Sequence, residues 1–155
     1  MKSQRLKLTL VASALALSLT PLAAHAQWWQ RHPAYLKAMS DLREAYWMVE
    51  HRDTLNPIAK EEEKGASRAI RVAYQNLKDA SIFDGKNIED QPPADMTFGD
   101  RKGRLHRAMD LLRDAHDEVN REEDDPAARG FKARALKAID NAARETNAAM
   151  HAWNF

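Results

Sequence analysis

The stretch that most restricts what this chain can become is Gly103 to Val119, GRLHRAMDLLRDAHDEV. Leu105, Met109, Leu112 and Val119, with Ala108 and Ala115 beside them, recur three and four residues apart. That spacing puts them on one face of an α-helix. A helix with one apolar stripe cannot bury it alone, so other segments must supply opposing faces.

Three further segments have the required period. From Pro33 to His51, Tyr35, Met39, Leu42, Tyr46 and Val49 alternate in steps of four and three, and Ala38 and Ala45 fill the seam. Asn56-Pro57 reads as a cap and first position for a second helix to Ser81, whose inner face is Ala59, Ala66, Ala69, Ile70, Ala73, Leu77 and Ala80. A face of such small residues predicts a neighbour with large ones. Glu61 to Lys64 is read as a solvated first turn, and Gly65, which costs about 1 kcal/mol relative to alanine inside a helix, as a point of close approach.

The third helix is predicted over Arg101–Glu123. The fourth runs from Pro126 to Trp153, capped by Asp124 or Asp125, and aligns Ala128, Phe131, Ala135, Ile139, Ala142, Thr146, Ala149 and Trp153. Residues 82–100 hold Asp84-Gly85-Lys86, Pro92, Pro93 and Gly99 without helical period, and are read as the single long connection. It is expected to pass over the bundle's end, held by Ile82, Phe83, Ile88, Met96 and Phe98. Short turns make helices 1 and 2, and helices 3 and 4, antiparallel pairs. The fold class expected is therefore all-α, an antiparallel four-helix bundle with one long connection between helices 2 and 3.

Residues 1–26 are read as a cleavable signal peptide. Lys2, Arg5 and Lys7 form a positive head, Leu8 to Leu19 is mostly apolar, and Ala24-His25-Ala26 fits a signal-peptidase site. The apolar run is shorter than the ~20 residues of a bilayer span, which argues against an uncleaved anchor. Residues 27–155 then form the bundle domain, with the periplasm as the expected location and the medium as the alternative. Losing the three basic residues of the head turns 24 basic and 23 acidic residues into 21 and 23, which disfavours a nucleic-acid partner. No transmembrane segment is expected after cleavage. With no cysteine anywhere, packing rather than disulfides must hold the exported chain together.

HPAYLKAMSDLREA at residues 32–45, Asp84-Gly85-Lys86, Pro92-Pro93, GRLHRAMDLL at residues 103–112 and the following REEDD resemble a family of small secreted bacterial helical-bundle proteins of unknown function. The resemblance implies export and an all-helical fold. It carries no activity and no catalytic residues.

Chemistry must therefore be sought in the residues themselves. No histidine has a glutamate three positions before it, so the Glu-x-x-His pattern of di-iron bundles is missing. Only His106 with Asp110 offers a histidine and a carboxylate on adjacent turns, the one candidate pair for a metal. His116 continues the Met109–Leu112 row and is expected to be partly buried, bonded to a tyrosine or carboxylate across the bundle rather than to a metal. Helix lengths and the long middle connection are similar to those of the cytochrome b562 bundle, and by position Met39 and His151 match its methionine and histidine haem ligands. Against that, His151 shares a row with Asp140, Arg144 and Asn147, a wet face. No CxxCH is present for covalent attachment.

No nucleophile elbow or phosphate loop occurs, so no catalytic residue is assigned and an enzyme is not expected. The reading favoured by sequence is a non-catalytic interaction or stress-related module without cofactor, whose partner is another protein or the cell envelope. Trp28, Trp29, Pro92, Pro93 and Phe98 are its candidate contacts, although the two tryptophans are better suited to folding back as a hydrophobic staple over the bundle's end. The alternative is a periplasmic carrier of haem or a transition metal through Met39, His116 or His151.

Overall fold

Apolar residues at helical spacing generate four helices, seen in a computed structural model that describes residues 34–51, 57–97, 100–122 and 126–154. They are α1 (Ala34–Glu50), α2 (Pro57–Phe83), α3 (Arg101–Arg121) and α4 (Arg129–Ala152), and the described residues contain no strand. The connection after α2 includes one 3-10 turn, Ile88–Asp90. Together the helices form an antiparallel four-helix bundle. No helix among the described residues is long and apolar enough to cross a membrane.

The packing order is α1 beside α2 and α3, and α4 beside the same two, which puts α2 and α3 on a diagonal. Each neighbouring pair runs antiparallel. Ser81 at the end of α2 meets Met39 near the start of α1, and Arg104 at the start of α3 reaches Met48 near the end of α1. Trp153 closes α4 against Glu63 near the start of α2. Since α2 and α3 point the same way, the chain between them must climb the length of the bundle.

The strap therefore runs along the side and not over the end, which corrects the sequence expectation. Tyr74 Oη donates to Gln91 at 3.3 Å, and the Asp95 amide donates to Glu44 on α1 at 3.3 Å. Glu44 also accepts from Arg107 of α3 at 2.9 Å, so one buried carboxylate ties strap, α1 and α3 together. Ile82, Phe83 and Met96, expected to anchor the strap, are 53%, 58% and 39% exposed; polar contacts hold it instead. Phe98 lies outside the described residues.

The core follows the sequence pattern with shifts in who supplies the bulk. Leu105, Ala108, Leu111, Leu112, Ala115 and Val119 of α3 are buried, while Met109 is only partly covered. On α1, Met48 joins Tyr35, Met39, Leu42 and Val49 in the interior, and Tyr46 sits at the margin. The most extensively packed pair is α2 with α4, and both present alanine: Ala66, Ala73 and Ala80 on one, Ala135, Ala142 and Ala149 on the other. The expectation that α2 faces large side chains on its closest neighbour is thus corrected. Small residues on both sides allow close axes, and the leucines and methionines of α1 and α3 fill the other half of the core.

The helix ends show a further departure. Asp100 caps α3, its Oδ1 accepting from the Gly103 amide at 2.7 Å. Pro57 opens α2 as expected; Asn56 lies outside the described residues. Pro126–Ala128 form a turn, so α4 begins at Arg129 with no side-chain cap. The proposed caps Asp124 and Asp125 also lie outside the described residues.

Candidate interaction surface

Each candidate ligand has a definite place. Met39 is buried, its sulfur accepting from Ser81 Oγ at 3.7 Å. His151 is exposed in the last turn of α4, beside the end where Trp153 meets Glu63. Ser81 and Glu63 stand 18 residues apart on α2. At 1.5 Å per residue that is about 27 Å, so Met39 and His151 occupy opposite ends and do not converge on one iron. This corrects the haem pairing suggested by position. The order of helices around the bundle gives no shared pocket to residues at its two ends.

His106 and Asp110 are both exposed. The His106 ring bonds the Lys102 carbonyl at 2.8 Å, and Asp110 accepts from Arg113 at 3.1 Å. His116 lies on the α3–α4 seam with its side chain 36% exposed, Nε2 standing 3.6 Å from Asp140 and Nδ1 3.6 Å from Asp117. Its carboxylate neighbour across the seam is thus Asp140. No group of three or more His, Asp or Glu side chains suited to a metal occurs among the described residues. Pro92 and Pro93 are exposed on the strap, and Trp28 and Trp29 lie outside the described residues.

Charged residues that the sequence reading assigned to solvent are instead part of the interior. Glu63 is 1% exposed and accepts from Trp153 Nε1 at 3.2 Å, because it lies seven residues before Ile70 on the inner face. At the opposite end Lys86 forms a buried node. Its ammonium is 2.5 Å from Glu122, 3.0 Å from Asp84 and 4.1 Å above the Tyr35 ring. Tyr35, Asp84-Gly85-Lys86 and Glu122 come from three well-separated parts of the sequence. Gly85 adopts φ +67°, the left-handed region that glycine enters without penalty, and this turns the chain so that Lys86 points back into the node.

Two carboxyl groups respond to protons in informative ways. Burial pushes the Asp41 carboxyl up, and the Lys37 ammonium at 2.7 Å offsets this only in part, with Asp114 and Glu44 nearby adding to the rise. Glu62 is also held above the ordinary carboxylate range, first by a hydrogen bond shared with Glu145 of α4 and then by desolvation. A raised folded value means that Glu62 contributes to stability at acid pH and loses that contribution as pH climbs through it.

Gly65 explains how Glu145 gets there. A Cβ at this position would stand 2.8 Å from Glu145 Oε2, so the glycine makes room for the carboxyl rather than for a helix backbone. Gly65→Ala is expected to displace that flexible carboxyl and gain about 1 kcal/mol of helix propensity. The gain in urea stability should be greater at neutral pH, where the displaced carboxyl no longer crowds Glu62, than below pH about 4. Destabilisation at both pH values would show that Glu145 cannot yield.

The α2–α4 face carries an arrangement absent from the sequence reading. Ile58, Gly65 and Val72 recur every seven residues, and Asn76 and Phe83 continue the row outside the core stripe. Ile58 is 69% and Val72 53% exposed. A chain of contacts then crosses to α4. Asn76 donates to the Val72 carbonyl at 2.8 Å, Arg134 Nε donates to Asn76 at 2.9 Å, and the Arg134 guanidinium lies 4.5 Å over Phe131. Phe131 stacks on Phe83 at 5.1 Å between centroids. The signal for this row was the heptad of exposed apolar residues, masked in the sequence by the stronger alanine stripe beside it.

No protein-family model, curated protein or solved structure matches the chain.

Proposed function

We propose that the protein is a non-catalytic, exported helical-bundle module that binds a component of the cell envelope. The observation that carries this reading is the row Val72–Asn76–Arg134–Phe131–Phe83, in which Val72 and Phe83 lie more than half exposed beside half-buried Asn76 and Phe131 and the exposed Arg134. Soluble monomers seldom leave contiguous apolar surface uncovered unless it meets a partner. The signal-like residues 1–26 and the resemblance to small secreted bundle proteins support export. The absence of a nucleophile elbow or phosphate loop from the sequence supports a role in binding rather than turnover.

Expression in a Gram-negative host followed by fractionation tests the reading. The wild-type chain is expected to partition with washed envelopes, and Phe83→Ser to move most of it into the soluble periplasmic extract, with the same helical circular dichroism. Equal partitioning of the two proteins would remove the α2–α4 face as the contact.

A further inference from the structure

Two of the helix seams differ from the others in what they join. The chain folds as two hairpins, α1 with α2 and α3 with α4, and only the strap links them covalently. The two most extensively packed seams, α2 with α4 and α1 with α3, each bind one hairpin to the other. Both carry carboxyl groups that face each other across the seam.

On the α2–α4 seam, the Glu145 carboxyl lies over Gly65 and shares a hydrogen bond with Glu62. Two carboxyl groups bond each other only while a proton is held between them, since the ionised group is an acceptor alone. Without it, like charges from opposite hairpins are pressed together beside Glu63, where Trp153 closes the bundle's end. On the α1–α3 seam, the Asp41 side chain is 12% exposed. Lys37 and Glu44 flank it on α1, and Asp114 acts on it from α3. Lys37 is drawn to Asp114 and Glu118 as well, and Arg107 is engaged by Glu44. Four carboxyl groups from two hairpins thus meet two cations.

We infer that the hairpins are joined by a proton-operated clasp, in which Glu62 with Glu145 and Asp41 against Asp114 hold the halves most tightly in mild acid and let them part together as the medium turns alkaline. Linkage fixes the sign. Asp41 and Glu62 are both held above the ordinary carboxylate range, so their contribution is present below it and is lost as pH rises through their folded values. The Glu44–Arg107 and Glu122–Lys86 contacts are ion pairs that strong acid dissolves, so the clasp acts between that limit and neutral pH. Parting of the hairpins opens both seams at once, whereas fraying of one helix end opens one. The device is independent of what the α2–α4 face binds.

Amide exchange of the purified protein, read by mass spectrometry at pH about 4.5 and about 7.5 and corrected for its intrinsic pH dependence, tests the clasp. Opening at both seams is expected to be more frequent at the higher pH. Glu145→Gln gives Glu62 a donor that does not titrate, and Asp41→Asn removes the buried charge. At the higher pH each should lower the opening constant of both seams about threefold, less than the tenfold of a full pKa unit because the groups are partly solvated. At the lower pH each should change it little. Asp110→Asn, exposed on the outer side of α3, should leave the pH difference as in wild type. Urea unfolding gives a second reading: the double variant Asp41→Asn, Glu145→Gln should gain stability over wild type at the higher pH and lose that advantage at the lower. Opening that does not increase with pH, or that increases equally in the double variant, overturns the clasp. Slowing confined to the substituted seam overturns the shared opening and leaves two separate local contacts.

Discussion

Replacing Lys86 by methionine is expected to lower the unfolding free energy by about 3 to 5 kcal/mol, the cost of stripping a buried ion pair of one partner. The side chains of Lys86, Asp84 and Glu122 are 10%, 9% and 2% exposed, so the carboxylates left behind cannot be rehydrated without opening the bundle's end. For a domain of this size the melting temperature should fall by about 10 to 20 °C. The double variant Lys86→Met, Glu122→Leu removes both charges at the closest contact and is expected to recover much of the loss, since buried pairs are often replaceable by apolar residues of similar volume. Thermal and urea unfolding of the three proteins decide the matter. A single variant as stable as wild type would reduce the node to an incidental surface contact.

The second large effect concerns the stripe that dictates the fold. Leu112 is fully buried among side chains from both halves of the core, and Leu112→Ala is expected to cost about 2 to 5 kcal/mol through lost transfer energy and the cavity left behind. Single domains are commonly stable by only 5 to 15 kcal/mol, so this variant would be close to the margin. An exposed residue on the same helix is the control: Arg113→Ala should change stability by less than about 0.5 kcal/mol. If the two substitutions cost the same in urea unfolding, Leu112 does not occupy the centre of the seam.

Both effects trace to residues whose importance was visible to different degrees. Leu112 could be found from periodicity, because a three-and-four spacing has one geometric meaning whatever the neighbours are. Lys86 could be found only as part of a turn. Its partners are Tyr35 on α1 and Glu122 beyond α3, and no local pattern says that residues so far apart in sequence will meet. Glu63 and Glu44 show the same limitation with a different cause. Glu63 stands within the inner stripe, between Ala59 and Ala66, and Glu44 beside Ala45 at the edge of its own; a carboxylate is accommodated there because Trp153, or Arg107 and the strap, reaches it.

The candidate site was less legible than the fold. Histidine and methionine positions suggested ligand pairs, but pairing across a bundle depends on helix order, and the observed order sets Met39 and His151 at opposite ends. The exposed α2 row was in principle readable as a second heptad. Deciding that it lies open required knowing that α4 covers the alanine face and leaves Val72 and Phe83 outside.

What the amino-acid sequence alone determined is the number and type of elements, their approximate limits and the residues of the dry seam, because these follow from local periodicity, capping and the exclusion of apolar groups from water. The tertiary structure decided which helices are neighbours, that the strap climbs the bundle's side, that charged residues are buried at both ends, and which apolar residues remain uncovered. Those outcomes depend on contacts between residues distant in sequence. Their energies exist only after the chain has closed on itself.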